Sequence, residues 1–419
     1  MRFHHLRSHR LLAVVGVLAV IAVACGSSDD AGGVQPAASG SPGCSPDYVV
    51  TDDVSDPDAR PVGSSEIDGE AFSAIPPNHL DTETFPEALV PRELIVSGGP
   101  PPDGIPPIDD PRYFSVDETT FLCDQEPVVV LELNGDARAY PIQIMTWHEI
   151  VNDIVGDEPV TVSYCPLCNS ALAFRREIDD GRVLDFGTSG SLYQSALLMY
   201  DRQTQSLWTH FDGRSVVGEL VGTELDVIPM ATVSWADFKA AHPDGQVLSW
   251  QTGLTRDYGR NPYQGYDRRE GPFDRFFDGE VDERLQAQDR VVGITGDDGM
   301  TAVLRSQLAA EGAMTVRDGE RELTVWLKPG TVSALDANAV ADGADIGAVG
   351  VFVNEVDGEV LTFRAEGDGF VDDETASTWS ILGEAVDGPL AGTQLSPVTH
   401  VDTFWFAWST YRPDTAVVG

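Results

Sequence analysis

Residues 127–141, PVVVLELNGDARAYP, decide the fold class of this chain. Val128 to Leu133 is rich in apolar and β-branched residues, and it has the length of a strand. Asn134-Gly135 follows, a dipeptide typical of the two-residue turn of a β-hairpin. Ala137 to Pro141 then returns as the partner strand. The pattern predicts an antiparallel hairpin, and therefore a fold whose core is built on sheets.

The flanking sequence continues in short strands with little helix. Residues 142–153 have a helix-like apolar spacing, residues 159–164 alternate as a strand, and further strand-and-turn segments run to about residue 250. Because few long amphipathic helices are indicated, we expect a mainly β fold with minor α, of the α+β class.

An internal repeat organises the chain from about residue 113 onward. Residues 201–208, DRQTQSLW, match residues 372–379, DDETASTW. Further matched pairs downstream are Gly218 and Gly388, Trp235 and Trp405, and Pro243 and Pro413. We predict two tandem degenerate copies of one β-rich unit, residues 113–255 and 289–419, joined by a connection of residues 256–288.

The amino terminus predicts export. Residues 1–10 carry three arginines and no acid, a short apolar run follows, and small residues precede Cys25. This pattern is typical of a signal peptide over residues 1–24, and its ending, AVAC, is similar to a bacterial lipobox, in which the cysteine takes a lipid. We expect Cys25 to be the lipidation site and residues 25–44 to be a flexible tether on the outer side of the cell membrane. Plain secretion and an uncleaved anchor are the alternatives.

Residues 45–112 are rich in Pro, Asp and Gly, which predicts an extended arm and not a regular helix. Cys44 precedes this arm and Cys123 follows it. A disulfide between these two cysteines would close a long loop and pin the arm to the first copy, with a stabilising role.

The charge of the chain limits its partners. The 419 residues have a formal net charge of -42 at pH 7, from 26 basic and 68 acidic side chains. Nucleic acid is excluded as a partner, because binding phosphates requires Lys and Arg. Electrostatic docking on anionic lipid is disfavoured for the same reason. Dispersed acidity is usually a solubility feature, so it identifies no ligand.

Cys165 and Cys168, in YCPLC, form the sharpest motif. A Cys-x-x-Cys pair directly after a strand places both sulfurs at one loop, close enough for a disulfide or for one metal ion. At the start of a helix, the backbone amides would also lower a thiol pKa. The corresponding positions of the second copy are Lys328 and Thr331. This difference indicates that the first copy holds the site.

His148 precedes the cysteines and could return to the same end of the sheet across a helix-then-strand connection. One imidazole and two thiolates suit a transition metal, and copper is favoured over zinc because soft thiolates suit Cu(I). Glu149 and Asp153 could orient the imidazole, although a polar turn ending the helix explains them as well. The leading hypothesis is therefore a copper or zinc site made by His148, Cys165 and Cys168.

Two other functions fit the same cysteines. In a dithiol–disulfide oxidoreductase, Cys165 would attack and Cys168 would resolve the mixed disulfide. In a non-catalytic cell-surface protein, the two would form a static structural disulfide. Whether the protein is an enzyme stays open at this point, and the sequence indicates no substrate.

Two further polar residues receive an interpretation from the sequence. Arg202 does not recur in the second copy, whereas its neighbour Asp201 recurs as Asp372. Arg202 is therefore a candidate for binding an anion or a substrate. His210 stands apart from every motif and is interpreted as an ordinary core or surface residue.

The motifs together resemble the domain-of-unknown-function 3179 family of bacterial and archaeal proteins. The resemblance rests on WHEIVND at residues 147–153, YCPLC at residues 164–168 and MYDR at residues 199–202. It extends over roughly residues 105–419, with Asn169 where the family has Gly and His210 where it has Gln. The resemblance implies an exported, often lipid-anchored protein and draws attention to the same His and Cys residues, but it supplies no reaction.

Overall fold

The computed structural model describes residues 66–67, 70–71, 85–296, 299–319 and 321–419. The predicted signal peptide and tether, with Cys25 and Cys44, lie outside the described residues. The elements of the first part of the chain are β1 Glu66–Ile67, β2 Glu70–Ala71, β3 Ile95–Ser97, β4 Tyr113–Ser115, β5 Pro127–Leu133, β6 Asp136–Pro141, α1 Ile142–His148, β7 Ile150–Val155, β8 Glu158–Cys165, β9 Ser170–Arg175, β10 Phe186–Tyr193, β11 Ala196–Asp201, β12 Leu207–Thr209, β13 Arg214–Val217, β14 Val227–Ile228, β15 Ala231–Ser234, α2 Trp235–Ala241 and β16 Gln246–Leu248.

The second part of the chain has the same short elements. They are β17 Arg290–Thr295, β18 Met300–Leu304, α3 Arg305–Glu311, β19 Ala313–Asp318, β20 Arg321–Lys328, β21 Ala348–Val353, β22 Glu355–Val356, β23 Glu359–Val360, β24 Phe363–Glu366, β25 Gly369–Asp372, β26 Thr378–Trp379, β27 Ala385–Asp387, β28 His400–Phe404, α4 Trp405–Tyr411 and β29 Ala416–Val418. Each of the four α-helices found in the described ranges has only seven residues. The prediction of a mainly β fold with minor α is confirmed.

The predicted hairpin is formed by β5 and β6, which pair antiparallel from Val128 opposite Pro141 to Leu133 opposite Asp136. Asn134 and Gly135 in the turn have φ of 53° and 81°, the left-handed conformations that a type I′ turn requires. The hairpin lies within the sheet β15-β5-β6-β16-β4, in which β16 runs parallel to β6. From this sheet, α1 leads directly towards the cysteines.

The helix predicted over residues 142–153 is too long. α1 ends at His148, because Glu149 turns into the left-handed region with φ of 59°. Residues 150–155 are strand β7, which pairs with β8 beginning with Ile150 opposite Ser163. The β-branched residues of this segment favour a strand. The spacing of its apolar residues fits both the helical period and the strand period.

The two predicted copies show matching arrangements. The sheet β28-β17-β18-β29 resembles β15-β5-β6-β16, and each ends in a parallel strand that follows a seven-residue helix. Trp208 Nε1 donates a hydrogen bond of 2.9 Å to Asp201, and Trp379 Nε1 donates one of the same length to Asp372. A duplication would produce such matches, and the duplication itself stays a prediction.

Residues of both predicted copies share the same cores. One buried cluster joins Tyr140 and Trp235 to Trp326. A second cluster joins Cys165 to Phe404. The second part of the chain therefore packs directly against the turn that bears the cysteines.

The described part of the arm, residues 85–112, lies against the first copy. Strand β3 pairs with β10 at the edge of the sheet β13-β12-β11-β10-β3, and Ile108 forms a parallel bridge with Val151.

Within the ranges that the structure covers, no helix has the length and apolar character needed to cross a membrane.

Candidate functional site

Cys165 and Cys168 lie in the turn that joins β8 to β9. Cys165 ends β8 and pairs with Ser170, the first residue of β9, so the cysteines lie in a hairpin turn and not at the start of a helix. The two Sγ atoms are 3.2 Å apart, and both residues are free thiols. Their side chains are 2% and 0% exposed. The hairpin therefore holds the two sulfurs in contact inside the protein.

The environment of Cys165 stabilises its thiolate. Burial alone would raise the pKa of this thiol, because it disfavours the charged form. The hydrogen bond from the Cys168 thiol and those from the backbone N–H groups of Leu197, Cys168 and Leu167 outweigh burial and lower the pKa. Backbone dipoles hold the negative sulfur here, so no cationic side chain is required for this effect.

The environment of Cys168 has the opposite effect. Burial, donation to Cys165 and the negative charge of Cys165 raise the pKa of the Cys168 thiol well above its ordinary value, while the Ser170 hydroxyl opposes that shift. The Sγ atom of Cys168 also lies 3.7 Å from the carbonyl oxygen of Ser195. Of the two thiols, Cys165 is therefore the one that ionises more readily, and Cys168 is the one that retains its proton to higher pH.

Glu149 interacts electrostatically with both thiols. It caps the C-terminus of α1 with φ of 59°, and its carbonyl oxygen accepts from the N–H of Tyr164, the neighbour of Cys165. Burial and the charge of Cys165 raise the pKa of the Glu149 carboxyl well above its ordinary value. Its surroundings therefore favour the protonated form of the carboxyl.

His148 faces other partners. Its Nδ1 lies 2.7 Å from the carbonyl oxygen of Pro106, and its Nε2 lies 2.6 Å from the hydroxyl of Tyr258. Because a carbonyl only accepts, Nδ1 carries the proton, and Nε2 accepts from the tyrosine. Burial lowers the pKa of His148 to about 4. The two ring nitrogens thus bind Pro106 of the arm and Tyr258. The structure does not bring either nitrogen to the thiols.

Asp153 is likewise occupied elsewhere. Its carboxylate accepts hydrogen bonds from Tyr140, at 2.5 Å, and from Tyr113, and it pairs with Arg138 at 2.7 Å. These partners lie on β6 and β4. Asp153 therefore ties β7 to the hairpin sheet and does not orient His148.

Arg202 is paired with carboxylates of the arm. Its guanidinium lies 3.2 Å from Asp103 and 2.9 Å from Asp109, and Asp103 also accepts from Tyr200 at 2.7 Å. The predicted role in binding an anion stays a prediction, but the contacts observed here attach the arm to β11.

The remaining cysteine predictions are not decided. Cys123 is buried at 3% exposure, and Cys44 lies outside the described residues. The disulfide between them stays a prediction, as does lipidation of Cys25.

The connection between the predicted copies covers the thiols. The Tyr266 hydroxyl donates a hydrogen bond of 3.0 Å to the carbonyl oxygen of Leu167, between the two cysteines. The N–H of Ser195 donates one of 2.8 Å to the carbonyl oxygen of Phe276. Tyr266 and Phe276 belong to the same apolar cluster as both cysteines. Any molecule that reaches the sulfurs from this side must displace residues 256–288.

The β10–β11 turn beside Cys168 has an unusual backbone. Gln194 and Ser195 have φ of 51° and 66°, conformations that a two-residue turn usually assigns to Asn and Gly. The Oε1 atom of Gln194 is buried with no hydrogen-bond partner in the part of the chain described. Strained backbone and unpartnered polar groups concentrate at functional sites. This turn therefore supports placing the functional site in the region of the two thiols.

His210 is the residue near the site that the sequence did not reveal. Its Nδ1 lies 2.9 Å from the Ser163 hydroxyl, and its Nε2 lies 2.8 Å from the Ser170 hydroxyl. These serines flank the thiol turn on β8 and β9. The departure from the family pattern at position 210 was a possible signal, but sequence alone gave it no partner.

No group of three or more His, Cys, Asp or Glu side chains able to hold a metal occurs among the residues described. The two thiols are the metal-ligating groups that the structure does bring together. A copper or zinc site therefore stays a prediction. A metal bound by the two thiols would need its remaining ligands from other groups.

Comparison with known proteins identifies a family and nothing more specific. The model of a family described as "Protein of unknown function (DUF3179)" matches residues 102–415, a range that includes both thiols, Glu149 and His210. No curated protein and no solved structure matches the chain.

Proposed function

Since the chain belongs to the DUF3179 family of proteins of unknown function, we propose from its own site that it is a dithiol–disulfide oxidoreductase, lipid-anchored through Cys25 outside the cytoplasm. The observation that carries the proposal is the contact of 3.2 Å between the Sγ atoms of Cys165 and Cys168. The opposite pKa shifts of the two thiols support it, because thiol–disulfide exchange needs one thiolate and one thiol held in reserve.

The exchange proceeds in two displacements. The Cys165 thiolate attacks one sulfur of a substrate disulfide, the substrate S–S bond breaks, and one half leaves as a thiolate while the other is bonded to Cys165. Cys168 then loses its proton and attacks the Cys165 sulfur. The second half of the substrate leaves, and a Cys165–Cys168 disulfide remains. The substrate is reduced by two electrons, and an external dithiol must reduce the protein again.

Glu149 supplies the proton in the first displacement. Burial and the charge of Cys165 raise its pKa and favour the protonated carboxyl, which can protonate the leaving thiolate. The resulting carboxylate can then accept the proton that Cys168 releases. General acid–base catalysis of this kind typically contributes 10²–10⁴-fold to a rate, as an order of magnitude.

The backbone around Cys165 explains how an acidic protein stabilises a thiolate. The N–H groups of Leu197, Cys168 and Leu167 donate to its sulfur. Fixed backbone dipoles aimed at a developing charge are effective in a site that excludes water.

The test is a redox titration of the full mature chain in glutathione buffers, with the thiol state read by intact mass after alkylation. We expect a reversible two-electron transition between two free thiols and a Cys165–Cys168 disulfide. In Cys168→Ser, whose hydroxyl can still donate to the neighbouring sulfur, Cys165 should be alkylated with an apparent pKa below about 8.5, the value of a free cysteine. Glu149→Gln should slow reduction of a small disulfide by about 10-fold or more.

Two outcomes would overturn the proposal. A disulfide that no buffer reduces in the folded protein would indicate a static staple in a non-catalytic surface protein. Alkylation of Cys165 with the pH dependence of a free cysteine would remove the evidence for an activated thiolate.

Copper binding is the second candidate, and the convergence of two soft sulfur ligands favours it. Loading the reduced chain with Cu(I) should then give one metal per protein, lost in Cys165→Ser and kept in His148→Gln, since His148 is bonded elsewhere. Metal-free protein that shows the redox transition but binds no stoichiometric copper would leave only the first proposal.

A further inference from the structure

A chain of hydrogen bonds runs from Ser170, beside the thiol turn, into the core. Ser170 lies two residues after Cys168, at the start of β9 opposite Cys165, and its hydroxyl opposes the rise in the pKa of the Cys168 thiol. The same hydroxyl lies 2.8 Å from Nε2 of His210. On its other side, His210 Nδ1 lies 2.9 Å from the Ser163 hydroxyl. Cys168, Ser170, Ser163 and His210 are each 0% exposed, so no solvent competes for these contacts.

The direction of the hydrogen bonds follows from counting protons. A serine hydroxyl has one proton to donate. If Ser170 donates it to a Cys168 thiolate, Ser170 must accept from His210, and Nε2 then carries the imidazole proton. His210 Nδ1 is left to accept from Ser163. The neutral imidazole thus fixes the direction in which the Ser170 hydroxyl points.

We propose that Ser170 and His210 are positioning residues for Cys168, which prepare the resolving step of the proposed dithiol reaction. The inference rests on that proposed function and names the groups that act on its second thiol. Ser170 donates to the Cys168 sulfur as it becomes a thiolate, and His210 holds Ser170 in the donating orientation. The thiolate of Cys165, in contrast, is stabilised by backbone N–H groups and does not depend on Ser170 or His210.

The resolving step is where such help is needed. Cys168 must become a thiolate in a site from which water is excluded, next to a sulfur that is already in a mixed disulfide. The bond between Cys168 and Cys165 then forms, and the bond from Cys165 to the substrate sulfur breaks. A donor aimed at the Cys168 sulfur lowers the barrier to that displacement without touching the substrate.

The alternative is that His210 only fills the core. Its ring lies 6.0 Å from that of Phe211 in an edge-to-face arrangement, as a packed core residue would. A purely structural role predicts that substitutions destabilise the fold and change both displacements together. A positioning role predicts a change in the second displacement alone.

The experiment separates the two displacements with 2,2′-dithiodipyridine, a small disulfide that releases one chromophoric thione at each step. The full mature chain in its reduced form is mixed with the reagent, and the mixed disulfide is followed by intact mass. In the wild type we expect two thiones per protein and little accumulated mixed disulfide. In Ser170→Ala and His210→Ala, the first release should be unchanged and the second slowed by about 10-fold or more, the effect of losing a hydrogen bond to a charged group.

Rescue and control variants make the result specific. His210→Gln offers a donor and an acceptor to the two serines, so it should restore the second release to within about 3-fold of the wild type. Ser215→Ala is the matched control, because this buried serine has no hydrogen-bond partner for its hydroxyl among the residues described. It should leave both releases unchanged.

The outcomes distinguish the two proposals. If the wild type releases no second thione, the dithiol function itself fails. If the wild type releases both and His210→Ala does so equally fast, the positioning role is overturned while the dithiol function stands. Equal slowing of both releases in His210→Ala and His210→Gln would also overturn it, in favour of core packing.

Discussion

The Thr403 hydroxyl donates a hydrogen bond of 2.8 Å to the carbonyl oxygen of Cys168. Thr403 lies on β28, in the second part of the chain, whereas Cys168 lies in the thiol turn of the first. The N–H of Phe404 donates to the same oxygen at 3.1 Å. The segment that lacks the cysteines therefore fixes the backbone of the segment that has them.

Thr403→Val should loosen the thiol turn at a small cost in stability. Valine fills the same space but cannot donate, and the Cys168 carbonyl keeps its bond from Phe404, so we expect a loss of about 1 kcal/mol in the free energy of unfolding. Alkylation of the thiols should become faster at the same time. Thr410→Val removes a comparable 2.7 Å bond within α4 and should leave the alkylation rate unchanged. Equal acceleration in both variants would contradict a local role for Thr403.

Glu126→Gln should remove one part of the pH dependence of stability. Burial raises the pKa of Glu126 to about 7, above its value of about 4.3 in an unfolded chain. Its protonated form is therefore favoured by folding, and the stability that it contributes is complete below pH 4.3 and is lost as the pH rises to 7. Over this window the loss amounts to about 3 kcal/mol. Denaturant unfolding between pH 4 and 8 should show it in the wild type only.

The structure explains why the glutamine can be accommodated. Glu126 accepts from the N–H of Cys123 and from Gln143, and Gln143 Oε1 has no partner within the described residues. A flip of the Gln143 amide would let that oxygen accept from the new glutamine. A variant whose stability still falls by several kcal/mol between pH 4.3 and 7 would show that Glu126 is not the group responsible.

Tyr258→Phe should destabilise the protein without affecting its thiols. The variant leaves His148 Nε2 without its donor, and a buried acceptor left unpaired costs about 1–3 kcal/mol. The pKa of His148 is lowered to about 4 from an unfolded value near 6.5, so its contribution is present above pH 6.5 and is lost as the pH falls towards 4. The Tyr258→Phe variant should unfold more easily at pH 7, while its Cys165 alkylation rate stays at the wild-type value. A changed thiol rate would place His148 closer to the site than these contacts do.

The elements that the sequence predicted well are those with a local cause. Asn134-Gly135 adopts the turn that this dipeptide favours, and the strands on either side follow from their β-branched residues. The helix predicted over residues 142–153 is too long because the apolar residues there fit both the helical and the strand period. The left-handed turn at Glu149, which ends α1, contains no Gly or Pro from which it could be predicted.

The site was only partly predictable for a different reason. The closeness of Cys165 and Cys168 follows from their spacing in one turn. The direction of His148 depends on its contacts with Pro106 and Tyr258, which are distant in sequence. His210 follows β12 of one sheet and meets Ser170 on β9 of another sheet, and no local pattern carries that information.

Tyr266→Phe should expose the thiols by weakening the cover that residues 256–288 provide. The variant loses the 3.0 Å bond to the Leu167 carbonyl oxygen and keeps the aromatic ring in the apolar cluster. One lost hydrogen bond of about 1 kcal/mol corresponds to about a 5-fold higher population of the open state. The alkylation rate of both cysteines by iodoacetamide should rise by that factor while the melting temperature changes little.

Tyr200→Phe is the matched control for this prediction. Its hydroxyl donates to Asp103 at 2.7 Å, so the variant also loses one buried tyrosine hydrogen bond, but in the attachment of the arm. Its alkylation rate should stay at the wild-type value. If both variants accelerate alkylation equally, the thiols are reached by general unfolding. If neither does, the Tyr266 hydrogen bond does not hold the cover closed, and access to the sulfurs must be controlled by other contacts such as that between Ser195 and Phe276.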